Sequence, residues 1–218
     1  MDLKSGYPYW AVRNGLMHAF PALARDEGCD VAIIGAGITG ALIADELVRH
    51  GHDVVVLEQR DVGWGSTAAS TALLQYEIDT HLVDLANRYG EADALRAYRA
   101  CAGAIDAIAE TCRAFRDVDF ARQGSLYYAS SRWQRRAVRR EFELRQARGF
   151  DVSWIDRDEL SRDYGLDAPG AILSAQAARV DPYRLAYRLL MRVQSQGARV
   201  FDRSEITDIV ARRGGVEL

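Results

Sequence analysis

Cysteine is scarce in this sequence, and the three present, Cys29, Cys101 and Cys112, form no CxxC pair and no metal-ligand spacing, so no metal site is expected. Cys101 and Cys112 stand 11 positions apart in a helical stretch, which puts them on nearly one face as buried packing thiols. A disulfide-stapled exported protein is therefore not the expectation. No run of about 20 apolar residues occurs, as a membrane-spanning helix would need. The closest, from Val31 to Val48, is broken by Asp45 and Glu46 and divides into a strand and a helix. Met1 to Gly6 lacks the apolar core of a signal peptide. Charge of one sign is not in excess either: 28 basic and 31 acidic residues give a net charge of −3, which argues against a nucleic-acid or anionic-membrane partner. Lys4 is the sole lysine, so arginine carries the remaining basic charge, a feature of genomic base composition. A soluble, cytoplasmic protein is the expectation. Its 218 residues suffice for one substantial core or two small ones.

The glycines are what stand out. Asp30–Ile34 is short, apolar and β-branched, the pattern of a buried parallel strand. It runs into Gly35-Ala36-Gly37-Ile38-Thr39-Gly40, then into a helical stretch from Ala41 to Val48 that Gly51 stops, then into a second strand, Asp53–Glu58. That is one βαβ unit. Gly35 permits the tight turn out of the strand, Gly37 lets the backbone approach a pyrophosphate, and Gly40 lets the helix pack close to the strand. The helix start offers unpaired N–H groups and partial positive charge to phosphates. Glu58 lies 23 positions beyond Gly35, near the ~20 expected of the acid that bonds ribose hydroxyls and disfavours a 2′-phosphate. Strand, glycines, helix, second strand and terminal acid together point to dinucleotide binding. A glycine-rich turn that binds nothing would need all of them to coincide by accident.

Elsewhere the pattern is mixed. Residues 1–29 carry Tyr7, Tyr9, Trp10 and Phe20, too aromatic for a loose tail, and are expected to pack on the domain surface. Gln59 to Gln75 reads as a loop of small and hydroxyl residues. Residues 82–89 and 91–115 read as helices, the second with a stripe of Leu95, Tyr98, Ala102, Ile105, Ile108 and Cys112. Residues 124–129 read as a strand. Arg132–Ala147 reads as a charged helix whose Arg135, Arg136, Arg139 and Arg140, with Glu141 and Glu143, form a solvated, salt-bridged face. Asp156 caps a short helix, and Asp181-Pro182 starts another that Gly197 ends. Strands follow at 198–201, 206–211 and 216–218. The last of these runs to the final residue, which suggests a piece of something longer.

A nicotinamide dehydrogenase usually continues from the first acid into another βαβ crossover. Here a Gly/Ser/Thr loop, long helices and antiparallel-looking strands follow instead, which favours flavin. An NAD-dependent Rossmann dehydrogenase and a non-catalytic dinucleotide-binding module are the competing readings. The run Gly35-x-Gly37-x-x-Gly40-x-x-x-Ala44-x-x-Leu47-x-x-x-Gly51-x-x-Val54-x-x-x-Glu58 resembles the FAD fingerprint of the D-amino-acid oxidase/glycine oxidase/sarcosine oxidase superfamily. Gly65-Ser66-Thr67-Ala68-Ala69-Ser70 is similar to that family's second FAD contact. Ala178 to Leu185, with Gly197 to Val200, resembles its return from substrate domain to FAD domain.

The resemblance implies an α/β fold: a Rossmann-like FAD-binding βαβ domain with parts of an α+β substrate domain. The expected division is an extension at 1–29, the first FAD-binding part at 30–115, a partial substrate domain at 116–174 and a return to the FAD domain at 175–218. It further implies that Gly35, Gly37 and Gly40 cradle the pyrophosphate with Ile38 and Thr39 at the helix start. Glu58 would hold the adenosine ribose, flanked by Gln59 and Arg60. Ser66 and Thr67 would bond phosphates, while Ser70, Thr71, Ala72, Leu73 and Leu74 approach the isoalloxazine. Ala72 stands where relatives often have glycine. Ile206 matches the strand position whose backbone contacts adenine. The implied chemistry is oxidation of a C–N bond of a small amine or amino acid by hydride transfer to FAD, which needs no strong protein base. No catalytic residue is assigned; Gln75, His81, Tyr127 and Tyr128 are the polar candidates. The family's C-terminal half would begin near Leu218, so this chain is expected not to complete the fold or turn over alone.

Overall fold

The structure, a computed structural model, describes residues 6–218. The chain forms two compact units, Met1–Ala72 with Asp181–Leu218 and Leu73–Val180, so the chain leaves the first unit after Ala72 and returns at Asp181.

The first unit is built on a three-stranded parallel sheet of β1 (Val31–Ile34), β2 (Val54–Leu57) and β7 (Arg199–Phe201), with β2 in the middle. Val31 to Ile34 pair in register with Val54 to Leu57, and Val55 to Leu57 with Arg199 to Phe201. The β-branched run of β2 is buried at every position, as a central strand requires. Helix α2 (Ile38–Arg49) packs on α7 (Pro182–Ser195). Arg192 of α7 reaches Asp45 of α2, Nη2 to Oδ1, at 2.7 Å. Helix α7 begins as its sequence dictates: Pro182 occupies the first turn, and the buried Asp181 carboxylate accepts from the Arg184 N–H at 2.9 Å. A short helix α1 (Tyr9–Asn14) buries Trp10, whose indole N–H donates to the Ser70 carbonyl at 2.8 Å. Phe20 is fully buried, and its N–H donates to the Asp202 carboxylate.

The second unit is antiparallel. Its sheet joins β3 (Leu73–Gln75), β6 (Ala171–Arg179) and β4 (Ala121–Tyr128), and β5 (Val152–Ile155) also pairs with β6. Helices α3 (Leu82–Tyr89), α4 (Glu91–Cys112), α5 (Arg135–Ala147) and α6 (Arg157–Tyr164) belong to this unit. Tyr98, Ala102 and Ile105 of α4 form a core with Tyr76, Leu82 and Ala178. Val138 and Phe142 of α5 pack on Val152 and Ile172. Asp156 caps α6 by accepting from the Glu159 N–H. The Cys112 thiol, at the end of α4, is pushed up to about 11 by burial.

Several expectations are corrected. Glu141 is not on a solvated face. It is fully buried, and its two oxygens accept from the Leu82 and Val83 N–H groups at 2.8 and 2.9 Å, capping α3 from 59 and 58 positions away in sequence. Arg139 and Glu143 do form the surface pair that i,i+4 spacing gives. Residues 59–75 are not one loop: they hold a 3-10 helix, Ser66–Ala69, and end in β3. The strand at 206–211 shrinks to β8 (Val210–Arg212), paired with β9 (Gly215–Glu217). Upstream, Ser204 N–H donates to the Glu58 carbonyl, and Asp208 accepts from the Ile209 N–H, so the backbone turns instead of extending. Residues 73–115, expected within the FAD-binding part, and residues 175–180, expected in its return, lie in the second unit, where α3 and α4 bury their apolar faces with Leu74 and Ala178 of its sheet.

Candidate functional site

The glycine turn leaves β1 at Gly35, whose φ of +102° suits a residue without a Cβ, and the Gly35 N–H donates to the Leu57 carbonyl at 2.7 Å. Gly37 is the N-cap of α2 and offers no side chain to close the helix end. A Cβ there would sit 3.0 Å from the Thr67 hydroxyl oxygen. Gly40 is the tightest position: a Cβ would fall 2.0 Å from the Gly35 carbonyl oxygen and 3.3 Å from Ile33 Cγ2. The helix thus touches both the turn and β1, the close approach its glycine was expected to permit. In the first turn of α2 the Ile38 N–H donates to Thr67 Oγ1 at 3.0 Å. The Thr39 and Gly40 amides have no side-chain cap.

Glu58 stands at the end of β2 and is aimed at the turn. One carboxylate oxygen accepts from the Ala36 N–H at 2.9 Å and the other from the Arg60 N–H at 2.9 Å. Its own N–H donates to the Phe201 carbonyl, which ties it to β7. A cavity of about 180 Å³ opens beside it, lined by Ile34, Gly35, Leu57, Glu58, Gln59, Ser204, Glu205 and Ile206. Of the residues expected around an adenosine, Glu58, Gln59 and Ile206 share this cavity, together with Gly35 of the turn, whereas Arg60 does not line it. Ser204 and Glu205 were missed by sequence reasoning. Their signal lies in the parallel order of β2 and β7, which brings the segments after both strands to one end of the sheet.

The remaining expected residues divide. Thr67 is buried at 4% exposure and its hydroxyl serves the α2 amide, while Ser66 is exposed. Ser70 is held at both ends, its carbonyl by Trp10 and its hydroxyl by the Ala72 N–H. Thr71 is exposed, and Ala72 adopts φ +66°. Arg60 accepts at its carbonyl from the Arg203 N–H. Leu73 and Leu74 begin β3 in the second unit, where Leu74 packs into the core and Leu73 is 56% exposed.

Of the polar candidates, His81 Nε2 and the Tyr127 hydroxyl lie 2.8 Å apart. Tyr127 shares the face of its partner Ile172, the face α5 covers, whereas Tyr128 and Gln75 lie on the opposite face. No cluster of His, Cys, Asp and Glu among the described residues could hold a metal ion, and no helix among them is long and apolar enough to cross a membrane.

The family model described as FAD dependent oxidoreductase, DAO, matches residues 30–218. The putative Rieske 2Fe-2S iron-sulfur protein YhfW of Bacillus subtilis is 30% identical over 204 residues, covering 92% of this chain and 39% of its own length. The gamma-glutamylputrescine oxidoreductase of Escherichia coli K12 is 27% identical over 206 residues, covering 92% of this chain and 48% of its own. The crystal structure of glycine oxidase from Geobacillus kaustophilus superposes with a TM-score of 0.69 at 25% identity, covering 86% of this chain and 50% of that one. The chain thus spans about half or less of the length of these relatives.

Proposed function

This chain belongs to the DAO family of FAD-dependent oxidoreductases, and we propose that it binds FAD through its first unit and contributes to the oxidation of a C–N bond in a small amine or amino acid. The observation that carries this reading is the Glu58 carboxylate held at the mouth of a turn with no side chain at Gly37. A diphosphate fits where the Thr39 and Gly40 amides and the positive end of α2 meet open backbone. A ribose diol fits the Glu58 oxygens, each of which keeps acceptor capacity beyond the one backbone hydrogen bond it receives. Ile34, Leu57 and Ile206 give the cavity beside it apolar walls suited to adenine. Bound FAD supplies the hydride acceptor. The protein's own work is to bind, orient and exclude water. Glu58 disfavours a 2′-phosphate by charge, Thr67 holds the start of α2, and the small residues 68–72 leave room for a flat ring.

The test is a titration of the purified chain with FAD, followed by flavin absorbance near ~450 nm and fluorescence. The wild-type chain takes up FAD, and Glu58→Ala weakens binding by about tenfold, the loss of roughly one charge-assisted hydrogen-bond pair. Equal affinity in the variant, or no uptake by the wild type, overturns the reading.

A further inference from the structure

Helix α1 lies ahead of residue 30, where the family model begins, so the cofactor fingerprint does not contain it. It is nevertheless tied into the first unit at both ends. Near its start the Trp10 indole N–H donates to the Ser70 carbonyl at 2.8 Å. At its end Asn14 spans two groups at the start of α7: its amide nitrogen donates to the Asp181 carboxylate at 2.8 Å, and its amide oxygen accepts from Arg184 Nε at 2.6 Å. The Gly15 carbonyl accepts from the Tyr183 hydroxyl at 3.2 Å. Asp181 and Tyr183 are buried, so this end rests on fixed groups. Trp10 is itself buried, with the Arg13 guanidinium over its ring. Helix α1 is a strut from the start of α7 to residue 70.

The strut reaches a segment that packing does not hold. Ala68 and Ala72 are buried, but residues 69–71 between them are exposed. Hydrogen bonds fix this backbone instead. The Ser70 hydroxyl accepts from the Ala72 N–H at 3.1 Å, and the Ser70 N–H reaches the Thr67 carbonyl at 3.4 Å, a long contact. The shorter indole bond therefore sets the direction of the Ser70 carbonyl. Ala72 holds φ +66°, a conformation that persists in a residue with a Cβ where its surroundings impose it. Among the apolar rings indole alone carries an N–H donor, so the requirement at position 10 is chemical as well as volumetric.

We propose that Trp10 is a positioning residue for the flavin: through the Ser70 carbonyl it holds in place the backbone of residues 70–72 that borders the isoalloxazine. This rests on the FAD reading, which sets the small residues 68–72 beside the flat ring. Trp10 acts through Ser70 and not by touching the ring. Small side chains leave the space, and the strut fixes the backbone around it. A contact segment meets its ligand only as precisely as the residues behind it are locked.

The wild-type chain, Trp10→Phe and Val193→Ala are titrated with FAD to saturation, and the visible circular dichroism of the bound flavin is recorded beside thermal unfolding. Trp10→Phe keeps a ring and removes the donor. Val193→Ala opens a cavity near the far end of α7 and tests stability alone. Both variants unfold at lower temperature. At saturation the flavin signal of Trp10→Phe falls towards that of free FAD, while Val193→Ala keeps the wild-type signal. The FAD dissociation constant of Trp10→Phe rises by no more than about tenfold, because the turn and Glu58 are untouched. Where Trp10→Phe does not fold, Asn14→Ala takes its place, loosening the strut at its other end with the same expected fall. A wild type whose bound flavin gives only the signal of free FAD, an unchanged signal in the strut variant, or an equal loss in Val193→Ala overturns the positioning role and leaves the FAD reading standing. A folded Trp10→Phe that binds no FAD also overturns it, because Trp10 is then needed for uptake itself. A wild-type chain that takes up no FAD overturns that reading, and the positioning role falls with it.

Discussion

In the unit that carries the glycine turn, the sheet and the helices on it bury small and aliphatic side chains, Ala36, Ala41, Ala44 and Val54 to Leu57 with Leu189, Leu190 and Val193 of α7, beside the rings of Phe20, Tyr183 and Tyr187. Its buried Asp45 and Asp202 are satisfied by arginines at the margin. In the second unit the largest fully buried side chain is an arginine. Arg145, at 1% side-chain exposure, donates through Nε to Glu141 at 2.7 Å and through Nη1 to Glu77 at 3.1 Å, under the rings of Tyr76 and Tyr98. Burial pushes the Tyr98 hydroxyl well above the usual phenol range, so it stays a neutral donor beside Glu141. The difference teaches how each unit is specified. The first depends on shape, on whether a backbone can pass close to a helix. The second depends on charge, on whether two buried carboxylates find their one cation.

Removing that cation is the largest expected effect. Arg145→Met keeps length and apolar bulk but leaves Glu77 and Glu141 buried without their counter-charge. Breaking a buried pair in this way costs about 3–5 kcal/mol. The loss should appear as faster hydrogen exchange in α5, β6 and the start of α3, which Glu141 caps, with α2 and α7 little changed. Uniform loss across both units would erase the contrast between them.

The converse change in the first unit acts through shape alone. In Gly40→Ala the new Cβ falls on the Gly35 carbonyl, a backbone atom that cannot rotate away. Overpacking of this kind costs about 1–3 kcal/mol. Denaturant unfolding and FAD titration should fall together, because the same displacement opens the turn that Glu58 holds. If stability drops and FAD affinity does not, the turn is a structural feature and not a nucleotide cradle.

The same contrast governs what the sequence could reveal. The turn, the two strands around it and Glu58 are legible because each depends on neighbours within about 23 positions, and glycine spacing states the backbone requirement directly. The cap and first turn of α7 are legible for the same reason. Strand β6 is not. Ala171-Ile172-Leu173-Ser174-Ala175-Gln176-Ala177-Ala178-Arg179 has little β-branched character, and it is a strand because β3, β4 and β5 pair along it. Glu141 was hidden more deeply. On its own helix it resembles the surface pair Arg139–Glu143, and only the distant α3 amides and Arg145 give it a buried role. Ser204 and Glu205 joined the cavity through strand order, which local pattern does not encode.

The smallest expected effect lies where one unit gives way to the other. Ala72 holds φ +66°, a left-handed conformation that costs a residue with a Cβ about 1–2 kcal/mol. Its N–H is fixed by the Ser70 hydroxyl, and Ser70 by Trp10, so the conformation is imposed by the first unit's own hydrogen bonds. Ala72→Gly removes the strain but also frees the unfolded chain, leaving a net gain of about 1 kcal/mol or less. Thermal unfolding should show the gain, and hydrogen exchange should assign it to the first unit, at Trp10 and residues 66–72, and not to α5 or β6. A variant less stable than the wild type would mean that the Ala72 methyl contributes more through packing than its backbone strain costs. The first unit's reliance on shape would then extend to its last residue.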